Sequence, residues 1–267
     1  MKKEEALHAW VNKIHQGYCE DLITQLPDNC IDLVVTSPPY NVDLGNNKYN
    51  KRPYDMYQDN RDHKKFIENL AYTFGILKPK MVTGGRICIN IGDGKNGRVP
   101  THSDIIQFMT KELKYLIKTT IIWNKSQIGG RTSWGSFNSP SNPSFPTPFE
   151  YILIFCNETQ SKEGCPENIT VTKKEFIHNS LAMWRFAPEN RMKKFRHPAM
   201  FPLKLPYRLI QQLSYKEDVV LDIFSGAGTT CLAAEILGRK WIGFELSKYY
   251  VENARKRLRQ YTDQTRF

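Results

Sequence analysis

The sequence predicts an α/β fold on a doubly wound, mostly parallel sheet, and three observations carry that reading. Short, β-rich apolar runs alternate with amphipathic stretches at both ends of the chain, the pattern that lays helices on both faces of a parallel sheet. One such run, Val219-Val220-Leu221-Asp222-Ile223, leads through Phe224-Ser225-Gly226-Ala227-Gly228 into Thr229-Thr230, as a strand leads through a glycine turn into a helix. At 267 residues, 40% hydrophobic and 24% charged, the chain has the size and balance of one large globular domain, with room for a small appendage.

Taken in order, residues 31–36 form the first expected strand, closed by Ser37-Pro38-Pro39. An amphipathic helix at 64–77 stops ahead of Lys78-Pro79, because a proline steers its predecessor out of the helical region. Strands at 86–91 and 119–123 flank a helix at 103–116, and the apolar run 151–155 reads as a further strand of the main sheet. A helix at 206–213 precedes the strand at 219–223. The helix that opens at Thr229 is expected to stop at Gly238, a favoured residue just past a helix end. After a strand at 241–244, Ser247 is placed to cap a last helix at 247–261. Its Arg255, Lys256, Arg257 and Arg259 suit either the helix dipole or a solvated face. Two regions break the alternation. Residues 41–61 are polar, tyrosine-rich and too long for an ordinary connection, which marks a functional lid or a mobile loop. Residues 126–196 are rich in Pro, Ser, Asn and basic side chains and read as an insertion that carries specificity.

Several classes are excluded by composition. No apolar run reaches the roughly 18–20 residues needed to span a bilayer, and the N-terminus lacks the apolar core of a secretory signal, so a cytoplasmic home and no membrane partner are expected. Six cysteines without a CxxC pair imply neither a metal site nor a disulfide framework. A net charge of +11 suits a polyanionic partner, since Lys and Arg neutralise phosphates.

The glycine turn narrows the ligand. Asp222 ends its strand, Gly226 and Gly228 make the turn, and Glu245 ends the next strand roughly 20 residues on, where an acidic side chain reaches a ribose. A dinucleotide fingerprint needs Gly or Ala where Cys231 stands, and no phosphate-cradling Gly-Lys-Ser/Thr occurs. An adenosine ligand without phosphate remains, which is S-adenosylmethionine.

Ser37-Pro38-Pro39-Tyr40 suggests the acceptor. An exocyclic base amine is a poor nucleophile because its lone pair is delocalised into the ring. Two acceptors aimed at the amine hydrogens, Ser37 Oγ and the Pro38 carbonyl, would localise that lone pair, and two prolines hold the carbonyl direction rigid. Tyr40 offers a face for an extruded base. No strong general base is required, because a methylated amine is acidic enough to lose its proton to water.

These residues resemble the DNA amino-methyltransferases, in particular the permuted group whose catalytic motif precedes its cofactor motif, over nearly the whole chain. The resemblance implies a Rossmann-like methyltransferase sheet with one antiparallel strand, formed by residues 1–125 and 197–267, and a target-recognition insertion at 126–196. It implies a catalytic motif at Thr36-Ser37-Pro38-Pro39-Tyr40 and a cofactor loop at 219–230, including Phe224, Gly226, Gly228 and Thr229. The ribose carboxylate would be Glu245, Asp21 would lie near the adenine amino group, and the segment 197–205, with Phe201 and Lys204, would pack against the methionine end. Ile223 and Ala227 depart from the residues many relatives carry, without removing a backbone donor. Ser rather than Asp at position 37 is associated in this family with N4 of cytosine, and N6 of adenine is the alternative. Duplex DNA is the implied partner, with a cognate restriction endonuclease and a homodimer as further partners.

Target choice falls to the insertion, where Arg131, Lys173, Lys174, Arg185, Arg191, Lys193, Lys194 and Arg196 are candidate DNA contacts among many solvated charges. Its scattered aromatics are expected to form local core, whereas Trp123 is a candidate wall of the base pocket. Two other readings compete: a methyltransferase acting on RNA or protein, and a DNA-binding module without catalysis.

Overall fold

The computed structural model describes residues 3–41, 54–126, 135–190 and 197–264. Its eight-stranded sheet runs in the order β1-β8-β7-β2-β3-β5-β4-β6, with β1 Lys13–Gln16, β2 Ile31–Thr36, β3 Met81–Ile91, β4 Leu116–Asn124, β5 Phe149–Cys156, β6 Met183–Arg185, β7 Val219–Asp222 and β8 Lys240–Glu245. Only β5 opposes its neighbours, pairing antiparallel with β3 and β4; the other pairs are parallel. The doubly wound sheet with one antiparallel strand is therefore present.

Helices cover both faces. On one lie α2 (Cys19–Gln25), α3 (His63–Leu77) and α4 (Thr101–Gln107), whose Ile23, Phe66, Leu70, Phe74 and Ile105 share a core with Ile87, Ile89, Leu221 and Phe244. On the other lie α6 (Lys204–Leu213), α7 (Thr229–Ile236) and α8 (Lys248–Gln264), packed through Leu205, Leu209, Leu232 and Val251 against Leu33, Val35 and Val220. Helix α3 shows how sequence makes such a layer. Asp62 caps its start by accepting from Lys65 N at 3.2 Å, and Phe66, Leu70, Phe74 and Leu77 form one buried stripe, each side chain worth about 1.5–3 kcal/mol of burial. Two further helices are short: α1 (Lys3–His8), whose Leu7 packs against the first core, and α5 (Lys173–Asn179), which meets α6 and begins in a capping box made by Thr172 and Glu175.

Three departures from expectation have local causes. The helix expected at 103–116 is α4 followed by one π turn, Phe108–Glu112, and Lys114 at φ 58° ends it, so Leu116 begins β4. Within the region read as an insertion, β5 lies inside the sheet as expected of residues 151–155, but Met183–Arg185 adds an unexpected edge strand beside β4. The basic residues of α8 are not all solvated: Arg255 donates to the Ile14 carbonyl at 2.6 Å, and Arg257 donates to the Ala227 carbonyl at 3.0 Å. Gly238 and Ser247 stand as expected. The first ends α7 at φ 68°, and the Ser247 hydroxyl accepts from Tyr250 N at 3.3 Å. Among the described residues no helix is long and apolar enough to cross a membrane.

Candidate active site

Strand order reverses between β2 and β7, so their carboxyl ends form the crevice where such sheets hold ligands. The two chain segments meet there through side chains. Thr36, last in β2, donates from Oγ1 to Asp222 Oδ1, last in β7, at 2.7 Å across 186 residues of sequence. Thr230 Oγ1 donates to the Val35 carbonyl at 3.2 Å. Both links are buried, which makes them strong constraints on how the two strand ends sit. Burial pushes the Asp222 carboxyl up to about 6, while Thr36, Thr230 and the Phe224 N–H pull it the other way.

Above this junction lies one cavity of about 580 Å³. At one end it is walled by Ser37-Pro38-Pro39-Tyr40, Asn90, Trp123, Lys125 and Glu150, and at the other by residues 17–20, 222–227, Thr229, 244–247 and 197–201. The glycine-turn half is shaped by backbone. Gly226 sits at φ 49°, and a Cβ there would come within 2.7 Å of His197 Nε2, so only glycine fits. Its N–H donates to Glu245 Oε2 at 2.9 Å, and Ser247 N–H donates to Oε1 at 2.9 Å. Burial raises the Glu245 carboxyl, and these two N–H groups oppose the rise. Residues Tyr54, Met56, Tyr57 and Arg61 close the same half from above. Asn41 anchors that segment, donating to the Arg61 carbonyl at 2.8 Å and accepting from Arg61 N at 2.7 Å.

The clamp half is held by a polar network. Ser37 Oγ lies 3.1 Å from the Asn90 carbonyl and 3.2 Å from Tyr40 Oη. Tyr40 Oη donates to Glu150 Oε2 at 2.8 Å, and Asn90 Nδ2 donates to Tyr40 Oη at 2.6 Å and to Glu150 Oε2 at 2.7 Å. Lys125 forms an ion pair with Glu150 Oε1. Burial, reinforced by the Glu150 carboxylate, raises the Tyr40 phenol far above its ordinary value.

Of the residues singled out in the sequence, Ser37, Pro38, Tyr40, Trp123, Phe201, Asp222, Phe224, Gly226, Thr229 and Glu245 line this cavity. Lys173, Lys174 and Arg185 are exposed and are not among its lining residues, and four of the expected cofactor-binding residues also lie off its wall. Thr36 is fully buried beneath it, bonded to Asp222. Gly228, at φ 71°, is where the chain turns into α7, and a Cβ there would press on Ala254 at 3.2 Å, so its smallness serves helix packing. Asp21 is solvent-facing on α2, and its neighbour Glu20 lines the cavity instead. Lys204 opens α6 and extends its ammonium over the Phe186 ring, 5.5 Å from the centroid. Trp123 is oriented by its indole N–H, which donates to the Phe186 carbonyl at 3.0 Å. Arg131, Lys193 and Arg196 lie outside the described residues, as do Arg191 and Lys194.

Sequence reading missed Asn90, Lys125 and Glu150, and took His197 only as the start of the segment 197–205. Asn90 carried a signal, as a polar residue within the apolar run 87–91 of β3, whereas Glu150, at the start of β5, did not. Among the described residues no group of three or more His, Cys, Asp or Glu could hold a metal ion.

Comparison with known proteins agrees with this geometry. Residues 31–256 match the N6/N4 family model described as DNA methylase. Type II methyltransferase M.MjaI of Methanocaldococcus jannaschii is 32% identical over 254 residues, 84% of each chain. M.MjaVI of the same organism is 38% identical over 173 residues, 64% of this chain and 84% of the relative. Among solved structures, TTHA0409 of Thermus thermophilus, whose assignment as a DNA modification methylase is itself provisional, was crystallised with S-adenosylmethionine. It superposes at a TM-score of 0.70 and 27% identity, over 93% of this chain and 95% of that one. A Ser-Pro-Pro-Tyr clamp and a glycine turn joined at one switch point, within a match running from β2 into α8, make this chain a member of the N6/N4 DNA methylase family.

Proposed function

We propose that this protein transfers a methyl group from S-adenosylmethionine to the exocyclic amine of a base flipped out of duplex DNA, N4 of cytosine rather than N6 of adenine. The observation that carries the reading is that the clamp and the glycine turn open onto one cavity, tied together by Thr36 and Asp222. The glycine-turn half fits the cofactor: Gly226, at φ 49°, makes a left-handed turn that sets the loop against the cavity, and Glu245 keeps lone pairs beyond those used by Gly226 and Ser247 for ribose hydroxyls. When bound there, S-adenosylmethionine supplies an electrophilic methyl group.

The chain's own residues do the remaining work. Ser37 Oγ and the Pro38 carbonyl accept the two amine hydrogens, drawing nitrogen out of conjugation and aiming its lone pair. Tyr40, held by three hydrogen bonds, presents a fixed ring on which the base stacks. Trp123 closes the base end. The proton lost by the methylated amine passes to water.

Serine at position 37 favours cytosine, by the resemblance that links this residue to N4 chemistry. Target recognition is assigned to residues 126–196, including Arg131, Lys193 and Arg196. Support comes from the segment 135–148, between β4 and β5, which exposes Phe137 and Phe145 at 80% and 78%. A restriction-modification setting with a cognate endonuclease is supported by relatives named as Type II methyltransferases. A homodimer is a further part of the reading, checked by mass in solution.

Methyl transfer to duplex DNA, measured with cofactor affinity, tests the proposal. Ser37→Ala should lose about 1.5–3 kcal/mol of transition-state stabilisation, roughly 10- to 150-fold in kcat, with cofactor Kd unchanged. Glu245→Ala should instead raise cofactor Kd in calorimetry. Near-normal turnover in Ser37→Ala would remove the clamp from the mechanism. Sequencing modified bases in DNA from cells expressing the chain separates N4-methylcytosine from N6-methyladenine.

A further inference from the structure

Glu150 is a carboxylate 8% exposed at the clamp end of the cavity, where burying a charge is costly unless every lone pair is used. Three donors converge on it: Tyr40 Oη and Asn90 Nδ2 on Oε2, Lys125 Nζ on Oε1. The fit is close. A Cβ on Gly92 would meet Tyr40 Cε2 at 3.3 Å and Glu150 Cγ at 3.5 Å. Asn90 turns its amide nitrogen to this group and leaves Oδ1 buried without a partner, an orientation that makes sense only if the carboxylate is the acceptor it must serve.

Hydrogen-bond direction follows from chemistry alone. An ionised carboxylate only accepts, so the single Tyr40 hydroxyl hydrogen points at Glu150. The phenol oxygen is then an acceptor and takes Asn90 Nδ2. Ser37 has one hydrogen, and its two neighbours, the Asn90 carbonyl and Tyr40 Oη, are both acceptors. Its hydrogen is therefore drawn into the protein, and Oγ meets the cavity with a lone pair.

We propose that Glu150 is a positioning residue that fixes donor and acceptor direction along Glu150–Tyr40–Ser37, so that Ser37 Oγ presents an acceptor to the base amine. This rests on the clamp reading above. A neutral amide at position 150 can donate to Tyr40 Oη, which then donates to Ser37 Oγ, takes one of its two lone pairs and weakens and redirects the acceptor left for the amine. The charge of Glu150, rather than its shape, is what the chain requires.

Single-turnover methylation of duplex DNA, cofactor Kd and melting temperature, measured on Glu150→Gln, Tyr40→Phe, the double variant and Ser37→Ala, provide the test. Glu150→Gln should lose roughly 10- to 100-fold in rate, with cofactor Kd and melting temperature close to wild type. The double variant should react no more slowly than Tyr40→Phe alone, because without the phenol hydroxyl the amide introduced at position 150 has no route to Ser37. A purely structural Glu150 would give additive losses and lowered melting, and that result overturns the proposal, as does a wild-type rate in Glu150→Gln. Because Glu150→Gln removes the partner of Lys125, repeating the comparison with Lys125→Met in all variants separates the effect from a stranded ammonium. Ser37→Ala distinguishes the two readings. If it is slow while Glu150→Gln is normal, only the positioning role falls; if it is normal, the clamp falls.

Discussion

His197 shows how a residue at the cavity wall is tuned by what surrounds it. Its ring lies 4.6 Å from Tyr250 and 6.0 Å from Tyr54, and its Nδ1 accepts from Ala199 N at 3.3 Å. Burial lowers its pKa from the ordinary value to about 4, which favours the neutral ring near neutral pH. The contribution of His197 to stability is present above its unfolded value of 6.5 and is lost as pH falls towards about 4. Asp222 runs the opposite way. Its carboxyl is raised from 3.8 to about 6, so its contribution is present below the unfolded value and is lost as pH rises through about 6. The two trends overlap between about pH 4 and 6 and largely offset each other. Replacing His197 with Asn, which keeps a polar group but cannot titrate, should expose the Asp222 trend. From about pH 6.5 to about pH 4.5 the variant's melting temperature should hold or rise where that of the wild type is flat or falling, the gap corresponding to on the order of 2–3 kcal/mol. Parallel pH profiles for the two proteins would show that His197 is not the titrating group.

Elements differ in how plainly the sequence announces them. Strands β2 and β7 are unbroken buried runs that end in residues with special backbone demands, Pro38-Pro39 and Gly226, so both were legible along with the clamp and turn they carry. Strand β1, Lys13–Gln16, buries only Ile14, and β6 has three residues around Trp184; neither is long enough to show a period. Glu150 was illegible as a site residue because a charge at the start of a strand ordinarily faces water. Only the antiparallel pairing of β5 with β3 and β4 brings it beside Asn90, Tyr40 and Lys125. Lys204 lies off the cavity wall, its ammonium held over the Phe186 ring from the start of α6. The segment 135–148 corrects a further expectation: Phe137 and Phe145 face solvent instead of forming local core. A base-stacking role is worth about 1–3 kcal/mol per aromatic ring. Phe137→Ser with Phe145→Ser should therefore weaken duplex binding by at least roughly 10-fold in an anisotropy titration while leaving cofactor Kd unchanged. Undiminished DNA affinity would assign these rings no part in the interface.

At the scale of the whole molecule, the fold solves a problem of distance. The Ser-Pro-Pro-Tyr motif and the glycine turn lie 186 residues apart, measured from Thr36 to Asp222, yet the reversal of strand order between β2 and β7 makes their strand ends neighbours. Two hydrophobic cores, one on each face of the sheet, hold those ends in register. The positive charge of +11 then supplies non-specific attraction for phosphates without fixing where the base goes. A crystal structure with S-adenosylhomocysteine and duplex DNA tests this convergence most directly. The ribose should sit on Glu245 beside Gly226, with the cofactor sulfur turned towards Ser37 and a flipped base against Tyr40. A cofactor bound outside the shared cavity, or one whose sulfur faces away from Ser37, would contradict it.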